Sequence, residues 1–338
     1  VGEIALRKIQ AAIEATRGLA VYPPTRPIYG VMTINREQPR RYANEDRGTF
    51  VKYFRANRKM TDAGFKLEAD LTPEDFPYFL EMVMQAAGAP SGSATVGYTW
   101  SFLPDFSSDL LKTRTFYAGD DTVQWQGPFG AADTLDVTLE LNDAVKMELG
   151  GFTADWIPVT SAFLSTGFSG GFSALSDRTV ETIMGYQSRL FVDTPAANGG
   201  TGVIGSTVIV GRFISAKPQY HLNNKKKAFG DNNPLALQKL GRGERDVSCE
   251  ITFEGADQQQ FANHYNNIEL LVRIQLLASA ISGTTFGTTN GILAAGTPVT
   301  NIVTNALTAA IPGGSVISIG GVQFSVAPAG AALNATAI

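Results

Sequence analysis

The chain has 338 residues, a formal net charge of -4 and 17% charged residues, with 35 Gly, 16 Pro and one Cys. That length can bury two or three cores, and a Gly- and Pro-rich, charge-poor composition predicts a turn-rich β protein. It argues against a phosphate-gripping nucleic-acid binder, which carries a marked basic excess. The lone Cys249 excludes an intrachain disulfide or a cysteine metal cluster.

In chain order, residues 3–17 read as an amphipathic helix: Ile4, Ile9, Ala12, Ile13 and Thr16 fall near helical spacing and Gly18 stops it. Glu3, Arg7, Lys8 and Glu14 deny this stretch the apolar core of a secretion signal. No stretch approaches the roughly 18 apolar residues of a membrane span, so a soluble protein is expected. Ile28–Ile34 is a candidate strand. A charged loop follows, in which Arg36, Arg40, Arg41, Arg47, Lys52, Arg55, Arg58 and Lys59 outnumber Glu37, Glu45 and Asp46. Phe65–Leu71 alternates: Phe65, Leu67, Ala69 and Leu71 face one way, Lys66, Glu68 and Asp70 the other. Thr72 as N-cap, Pro73 at the first helical position, and Glu74 and Asp75 in the first turn predict a helix over 73–87. Phe76, Phe79, Leu80, Val83 and Met84 would be its buried stripe.

Strands are expected next at Val96–Phe102, Lys112–Tyr117, Thr122–Gln126, Thr134–Leu141 and Val145–Leu149. Asp120–Asp121 and Asn142–Asp143 are turn signals between them. Residues 161–180, rich in Ser, Gly and Phe, read as a mobile or partner-ordered loop. An earlier order then recurs: a strand at Val208–Tyr220, a basic loop with Lys225, Lys226, Lys227, Lys239 and Arg242, an alternating strand at Glu244–Glu254, a helix at 257–266, and a strand at Ile268–Leu277. This repeat is one of element order and charge, open to two readings: a duplication, or two similar passages of one β protein. Beyond about residue 278 the composition shifts to Ala, Gly, Thr and Val and reads as a small separate β module that breaks off in mid-pattern at Ile338. The divisions drawn are 1–160, 161–280 and 281–338.

The most informative strand is Glu244–Glu254. Glu244, Asp246, Ser248, Glu250, Thr252 and Glu254 share one face, and Val247, Cys249, Ile251 and Phe253 share the other. Thr134–Asn142 repeats the design with Asp136 and Glu140, and Phe65–Leu71 with Glu68 and Asp70. A polar face turned to water accounts for alternation. It does not account for a preference for acids over Lys, which suits a wall that must not bind a polyanion. The basic loops are either solvated surface or contacts to acids on a neighbouring subunit.

Several runs carry a family resemblance: "IALRKIQAAIEATRGLAVYPPTRPIYGV", "YANEDRGTF", "LEADLTPEDFPYFLEMVM", "KTRTFYAGDDTVQWQG" and "YQSRLFVDTP". Over residues 3–277 the chain resembles the tail tube proteins of long-tailed bacteriophages. The resemblance implies a mainly β protein with an antiparallel β-sandwich or barrel and flanking helices, whose inner strands join neighbours in a continuous barrel. It implies a virion-tail location, assembly in the host cytoplasm, and contact with copies of itself, with a tape measure protein and with tail-tip and terminator proteins. DNA would pass without specific binding, and neither cofactor nor membrane is implied. By position, Arg36–Lys59 matches the family's long stacking loop. The lumen-facing candidates are then Glu244, Asp246, Glu250, Glu254, Asp136, Glu140, Glu68 and Asp70. The ring-stacking candidates are Arg36, Arg40, Arg41, Arg47, Lys225, Lys226 and Lys227. The simplest family members carry one tube domain; a duplicated chain points to a trimeric ring with pseudo-sixfold symmetry, with a hexamer as the alternative. The last stretch resembles β modules that decorate phage structural proteins.

Enzymatic signals are weak. The two histidines, His221 and His264, have no Cys or His at ligand spacing. No nucleophile elbow, phosphate loop or dinucleotide fingerprint occurs. Gly167–Ser173 lacks the strand–turn–helix setting of an elbow, and Gly119–Asp121 is a turn signal. The alternative to a tube subunit is another phage or cell-surface structural or adhesion protein.

Overall fold

The computed structural model describes residues 7–44, 53–84, 91–93, 97–102, 111–120, 123–159, 171–177, 180–193, 208–209, 213–254, 266, 271–278, 300–307 and 321–328. Strand β1 (Lys8–Ile13) turns into β2 (Arg26–Ile28), and β3 (Val31–Glu37) leads to a hairpin of β4 (Arg40–Asn44) and β5 (Tyr53–Arg58). β6 (Asp62–Asp70) feeds helix α1 (Phe76–Val83). β7 (Ser91–Ser93), β8 (Gly97–Ser101) and β9 (Arg114–Gly119) precede the long β10 (Gln124–Glu140), β11 (Lys146–Thr153) and β12 (Ile157–Pro158). β13 (Ser188–Asp193), β14 (Val208–Ile209) and β15 (Phe213–His221) follow. The hairpin β16 (Lys225–Lys227) and β17 (Lys239–Gly241) comes before β18 (Asp246–Phe253). β19 (Leu271–Ala278), β20 (Thr300–Leu307) and β21 (Gly321–Pro328) complete the order.

The protein is mainly β. A ten-stranded antiparallel sheet runs β2-β1-β9-β10-β11-β6-β3, with β12 and β15 also paired to β10 and β18 paired to β15. A second, seven-stranded sheet runs β14-β13-β19-β20-β21-β8-β7. The pairings form no closed barrel among the described residues. Strands from all three sequence divisions share these sheets: β15 joins β10, β18 joins β15, and β20 joins β19.

The sequence splits β10 into two strands, yet it is one strand with a bend. Its first part pairs with β9 and its second with β11 and β15; the register against β9 shifts between Gly127 and Gly130. Phe129 lies there at φ 57°, an uncommon conformation for a bulky residue. A Cβ on Gly130 would come within 2.6 Å of the Arg114 carbonyl oxygen, so a side chain has no room at the bend. The two halves of the sheet face one another: Phe65 of β6 meets Phe116 of β9 at 4.8 Å between ring centroids.

The expected N-terminal helix is replaced by β1, paired with β2 and β9. Ile9, Gln10, Ala11 and Ala12 are all buried. A strand covered on both faces has no two-residue polarity alternation, and its apolar run mimics helical spacing. Beyond its end, Glu14 is buried and accepts four hydrogen bonds. Thr115 Oγ1 (2.8 Å) and the Phe129 N–H (2.7 Å) donate to Oε1; Thr113 Oγ1 (2.6 Å) and the Gly18 N–H (2.9 Å) donate to Oε2. The carboxylate thereby ties β1 to the bend of β10.

Helix α1 lies inside the expected 73–87 range, but only as Phe76–Val83. The N-cap is Asp75 rather than Thr72, with no side-chain cap bond, and Pro77 rather than Pro73 stands in the first turn, so Thr72 to Glu74 form a turn ahead of the helix. Thr72 Oγ1 accepts the Asp75 N–H there at 3.2 Å, while the Asp75 carboxylate bonds Arg26 at 2.8 Å. Arg114, fully buried, donates to Glu81 and to the Tyr78 carbonyl at 2.9 Å each. The Arg26 and Arg114 guanidiniums lie 4.9 and 4.3 Å from the Tyr78 ring centroid. Charge, hydrogen bonding and cation–π attraction together fix the helix against the core. The helix expected at 257–266 lies outside the described residues except for Asn266, in a turn.

The remaining differences are local. The Ile28–Ile34 strand is broken between β2 and β3, where a Cβ on Gly30 would sit 2.6 Å from the Glu68 carbonyl oxygen. The Val208–Tyr220 strand is divided between β14 and β15. Both basic loops contain hairpins, β4–β5 and β16–β17. Of the Ser/Gly-rich segment, residues 171–173 are held in place: Gln10 exchanges two 2.8 Å hydrogen bonds with Ser173, and Gln124 accepts the Phe172 N–H at 2.9 Å.

Candidate functional site: the outer face of a six-strand run

Within the large sheet, β3-β6-β11-β10-β15-β18 form a continuous antiparallel run. Its inner face is core. Phe65, Leu67, Leu135, Val137, Leu139, Met147, Leu149 and Ala216 are buried there, with Met32, Ile34, Val247, Cys249 and Ile251 partly buried at the margins. The strand pleat sends every second residue to the outer face.

The register arranges that outer face in rows. One row reads Val31, Glu68, Glu148, Asp136, Gln219, Ser248, each residue opposite the next. Another reads Thr33, Lys66, Gly150, Thr134, His221, Asp246. Asp70 faces Lys146, Glu140 faces Ser215, and Lys217 faces Glu250. Six of the sequence-predicted acids, Glu68, Asp70, Asp136, Glu140, Asp246 and Glu250, therefore share one surface. Glu244 and Glu254 flank β18 and are exposed.

The sequence reading placed Lys66 beside Glu68 and Asp70 but missed Glu148, Lys146 and Lys217 on this face. Lys66 Nζ bridges Glu68 at 2.9 Å and Glu148 at 3.0 Å, and these bonds hold its ammonium above the usual lysine range. Lys146 bonds Asp143 at 2.5 Å, raising the lysine and lowering the carboxyl, which also accepts the Ala144 N–H. Alternation in Val145–Leu149 was a usable signal for Glu148. The lysine bridge was not readable, because its acids come from two strands. Acids still outnumber bases on the face, but as a partly paired surface rather than a uniform wall.

At one end of the face, Asp136 Oδ1 lies 3.4 Å from His221 Nε2. Burial raises the Asp133 carboxyl, opposed by the Asn224 N–H at 2.6 Å and by neighbouring His221 and Lys226. Burial also pushes the Cys249 thiol up to about 12.

The ring-stacking candidates divide into two groups. Arg36 bonds Asp155 at 2.7 and 3.2 Å, and Lys226 bonds Asp62 while lying 4.4 Å from the centre of the Phe152 ring. Both thus have partners within the chain. Arg40, Arg41, Lys225 and Lys227 are exposed on the two hairpins. Arg47 lies outside the described residues.

Other chemical candidates lead elsewhere. The Asp120 carboxylate accepts the Val123 N–H at 2.7 Å and so closes the β9–β10 turn. His264 and residues 167–170 lie outside the described residues. A groove of about 750 Å³ beside β1, β3 and β9 is lined by Ile9, Ile28, Met32 and Trp125, with no Ser, Cys or His among its described lining residues. Among the described residues, no group of three or more His, Cys, Asp or Glu could hold a metal ion. No model of a known protein family matches the chain, and no curated protein sequence matches it.

Proposed function

We propose that this chain is a non-enzymatic structural subunit of a phage tail tube, stacked in rings around a lumen through which DNA passes. The observation that carries the reading is the six-strand run, with core on one face and Glu68, Asp70, Asp136, Glu140, Glu148, Asp246 and Glu250 on the other. Among the described residues, β3 and β18 each have one hydrogen-bonded neighbour. Such edges are templates for pairing with another chain.

The strand count supports a ring. With an even number of alternating strands, β3 and β18 run in opposite directions. Laying β18 of one copy beside β3 of the next continues the antiparallel order and keeps the same face inward, and repeating that step by rotation closes a ring. The finer fold in this reading is a sandwich whose inner sheet becomes one wall of a continuous barrel. An acid-rich wall repels phosphate, so DNA slides without specific binding; weak attraction at many sites would sum to salt-sensitive adhesion.

A ring of three is favoured over six. A strand–basic hairpin–strand unit occurs twice, from β3 to β6 and from β15 to β18. These units occupy the first two and last two positions of the run and point the same way. The recurrence of the unit in the same direction is the ground for preferring a duplicated chain, and with it a trimeric ring, over a hexamer. In the virion tail the partners would be the tape measure protein and the tail-tip and terminator proteins. Negative-stain imaging of the concentrated protein tests the reading. Hollow tubes of three- or sixfold rings are expected; a strict monomer that a tail-tip complex does not nucleate contradicts it.

A further inference from the structure

The large sheet folds on itself at the bend of β10, and its two halves part at the end away from that bend. The groove of about 750 Å³ opens there, between Ile9, Ile28 and Trp125 of one half and Met32 and Ile34 of β3 in the other. A strap of chain, described at 171–177 and 180–184, crosses this opening. It starts against Gln10 of β1 and Gln124 of β10, and it ends between Leu71 and Val145, at the far ends of β6 and β11. On the way Leu175 and Asp177 border the groove. Val180 and Thr182 border a second cavity of about 540 Å³, shared with Glu68 and Glu148.

The two ends of the strap are fastened differently. At its C-terminal end the bonds run from backbone to backbone. The Val145 N–H donates to the Ile183 carbonyl at 2.8 Å, the Ile183 N–H to the Leu71 carbonyl at 3.0 Å, and the Gly185 N–H to the Asp143 carbonyl at 2.9 Å. The Ile183 side chain is fully buried. At the N-terminal end the bonds run through two glutamine side chains. Gln10 Nε2 donates to the Ser173 carbonyl and Gln10 Oε1 accepts the Ser173 N–H, both at 2.8 Å, while Gln124 Oε1 accepts the Phe172 N–H at 2.9 Å. Between the ends Ala174, Ser176 and Asp177 are exposed and two cavities lie alongside, so little apolar burial holds the middle. Segments of this kind open locally at far less cost than global unfolding. The strap therefore has one fixed end and one releasable end.

The groove runs beside β3, which has one hydrogen-bonded neighbour among the described residues. Met32 and Ile34 on this margin are only partly buried, and so are Val247, Cys249 and Ile251 on the margin at β18. Both margins are incomplete core. A β18 strand from a second copy, laid along β3, would bring its half-covered side chains against Met32, Ile34 and the groove. Leu175 and Asp177 of the fastened strap stand at the rim of that same groove. We infer that the strap is a latch on self-assembly, fastened by Gln10 and Gln124 in the free subunit and lifted from them when β18 of a second copy takes the groove beside β3. The latch rests on the tube reading and deepens it by naming how the β3 edge is regulated before copies join. A fastened strap lowers the apparent affinity between copies in proportion to the fraction left open.

Two measurements on the full-length protein test the latch. Gln10→Ala with Gln124→Ala frees the N-terminal end of the strap and leaves β3, β18 and the acid-rich face unchanged. By sedimentation velocity this variant should associate at a concentration at least about tenfold below the parent's, with a parental circular dichroism spectrum. Hydrogen exchange of the parent is the second readout and needs no variant. The Phe172 and Ser173 amides should exchange slowly in the free subunit and fast in the assembly, those of Ile183 and Gly185 slowly in both, and β3 should gain protection on assembly. A variant that associates no more readily than the parent, Phe172 and Ser173 amides that stay protected in the assembly, or a β3 that gains no protection overturns the latch. Imaging of the same samples separates it from the tube reading. Tubes that keep Phe172 and Ser173 protected would remove the latch and leave the tube standing. Easier association of the variant into assemblies that are not rings, with those amides exposed, would support the latch and remove the tube. Parent and variant that both remain monomeric would remove both.

Discussion

Arginine serves opposite purposes in two regions of the molecule. Around α1, Arg26 and Arg114 are buried, bonded to Asp75 and Glu81, and flank Tyr78. On β4–β5, Arg40, Arg41 and Arg58 are exposed, and Arg40 stands directly opposite Arg58. The first group holds the subunit together; the second is surplus to its stability and available to something outside it. The lesson is that a charge-rich segment and an isolated arginine are told apart by what packs around them, not by residue type.

The largest effect should come from the buried group. Arg114→Ala strands Glu81 and opens space beside Tyr78, and urea unfolding should register a loss of about 3–5 kcal/mol. A loss below 1 kcal/mol would erase the distinction between the two regions. Glu14→Ala comes next. It leaves Thr113, Thr115 and the Phe129 and Gly18 N–H groups without their acceptor, at a cost of about 2–3 kcal/mol by the same measurement.

On the exposed side, Arg40→Glu with Arg41→Glu should change unfolding stability by no more than about 0.5 kcal/mol, while imaging finds tube stacking impaired. Normal stacking in that double variant would remove this hairpin from the ring contact. Glu250→Lys with Glu254→Lys should likewise leave the fold intact. It should slow DNA ejection from assembled tails, most at low salt where screening is weakest; ejection at the parental rate in low salt would argue against an acid-lined path. The smallest effect concerns Cys249. With its thiol pushed up to about 12, little thiolate is present at neutral pH, and a thiol reagent should react far more slowly than with a free cysteine.

Legibility in the sequence followed solvent. In β6, β10 and β18 one face is wet, so apolar and acidic residues alternate and the shared acid-rich face could be anticipated from Glu68, Asp136 and Glu250. In β1 both faces are covered, so Ile9 to Ala12 carried no alternation and suggested a helix. The bend of β10 disguised one strand as two, because Gly127 and Gly130 look like ordinary turn residues. The buried stripe of α1, Phe76, Phe79, Leu80 and Val83, could be read locally, whereas Arg26 bonding Asp75 could not, because that contact joins distant segments. The same limit hid the Lys66 bridge and the glutamine bonds to Phe172 and Ser173.

The central claim, that the six-strand run forms the wall of a tube, is tested most directly by a cryo-electron microscopy reconstruction of the assembled protein. The account predicts β18 of one copy paired antiparallel with β3 of the next, and Glu68, Asp136 and Glu250 facing a central channel. An assembly with these residues on its outer surface, or with β3 and β18 unpaired between copies, would contradict it.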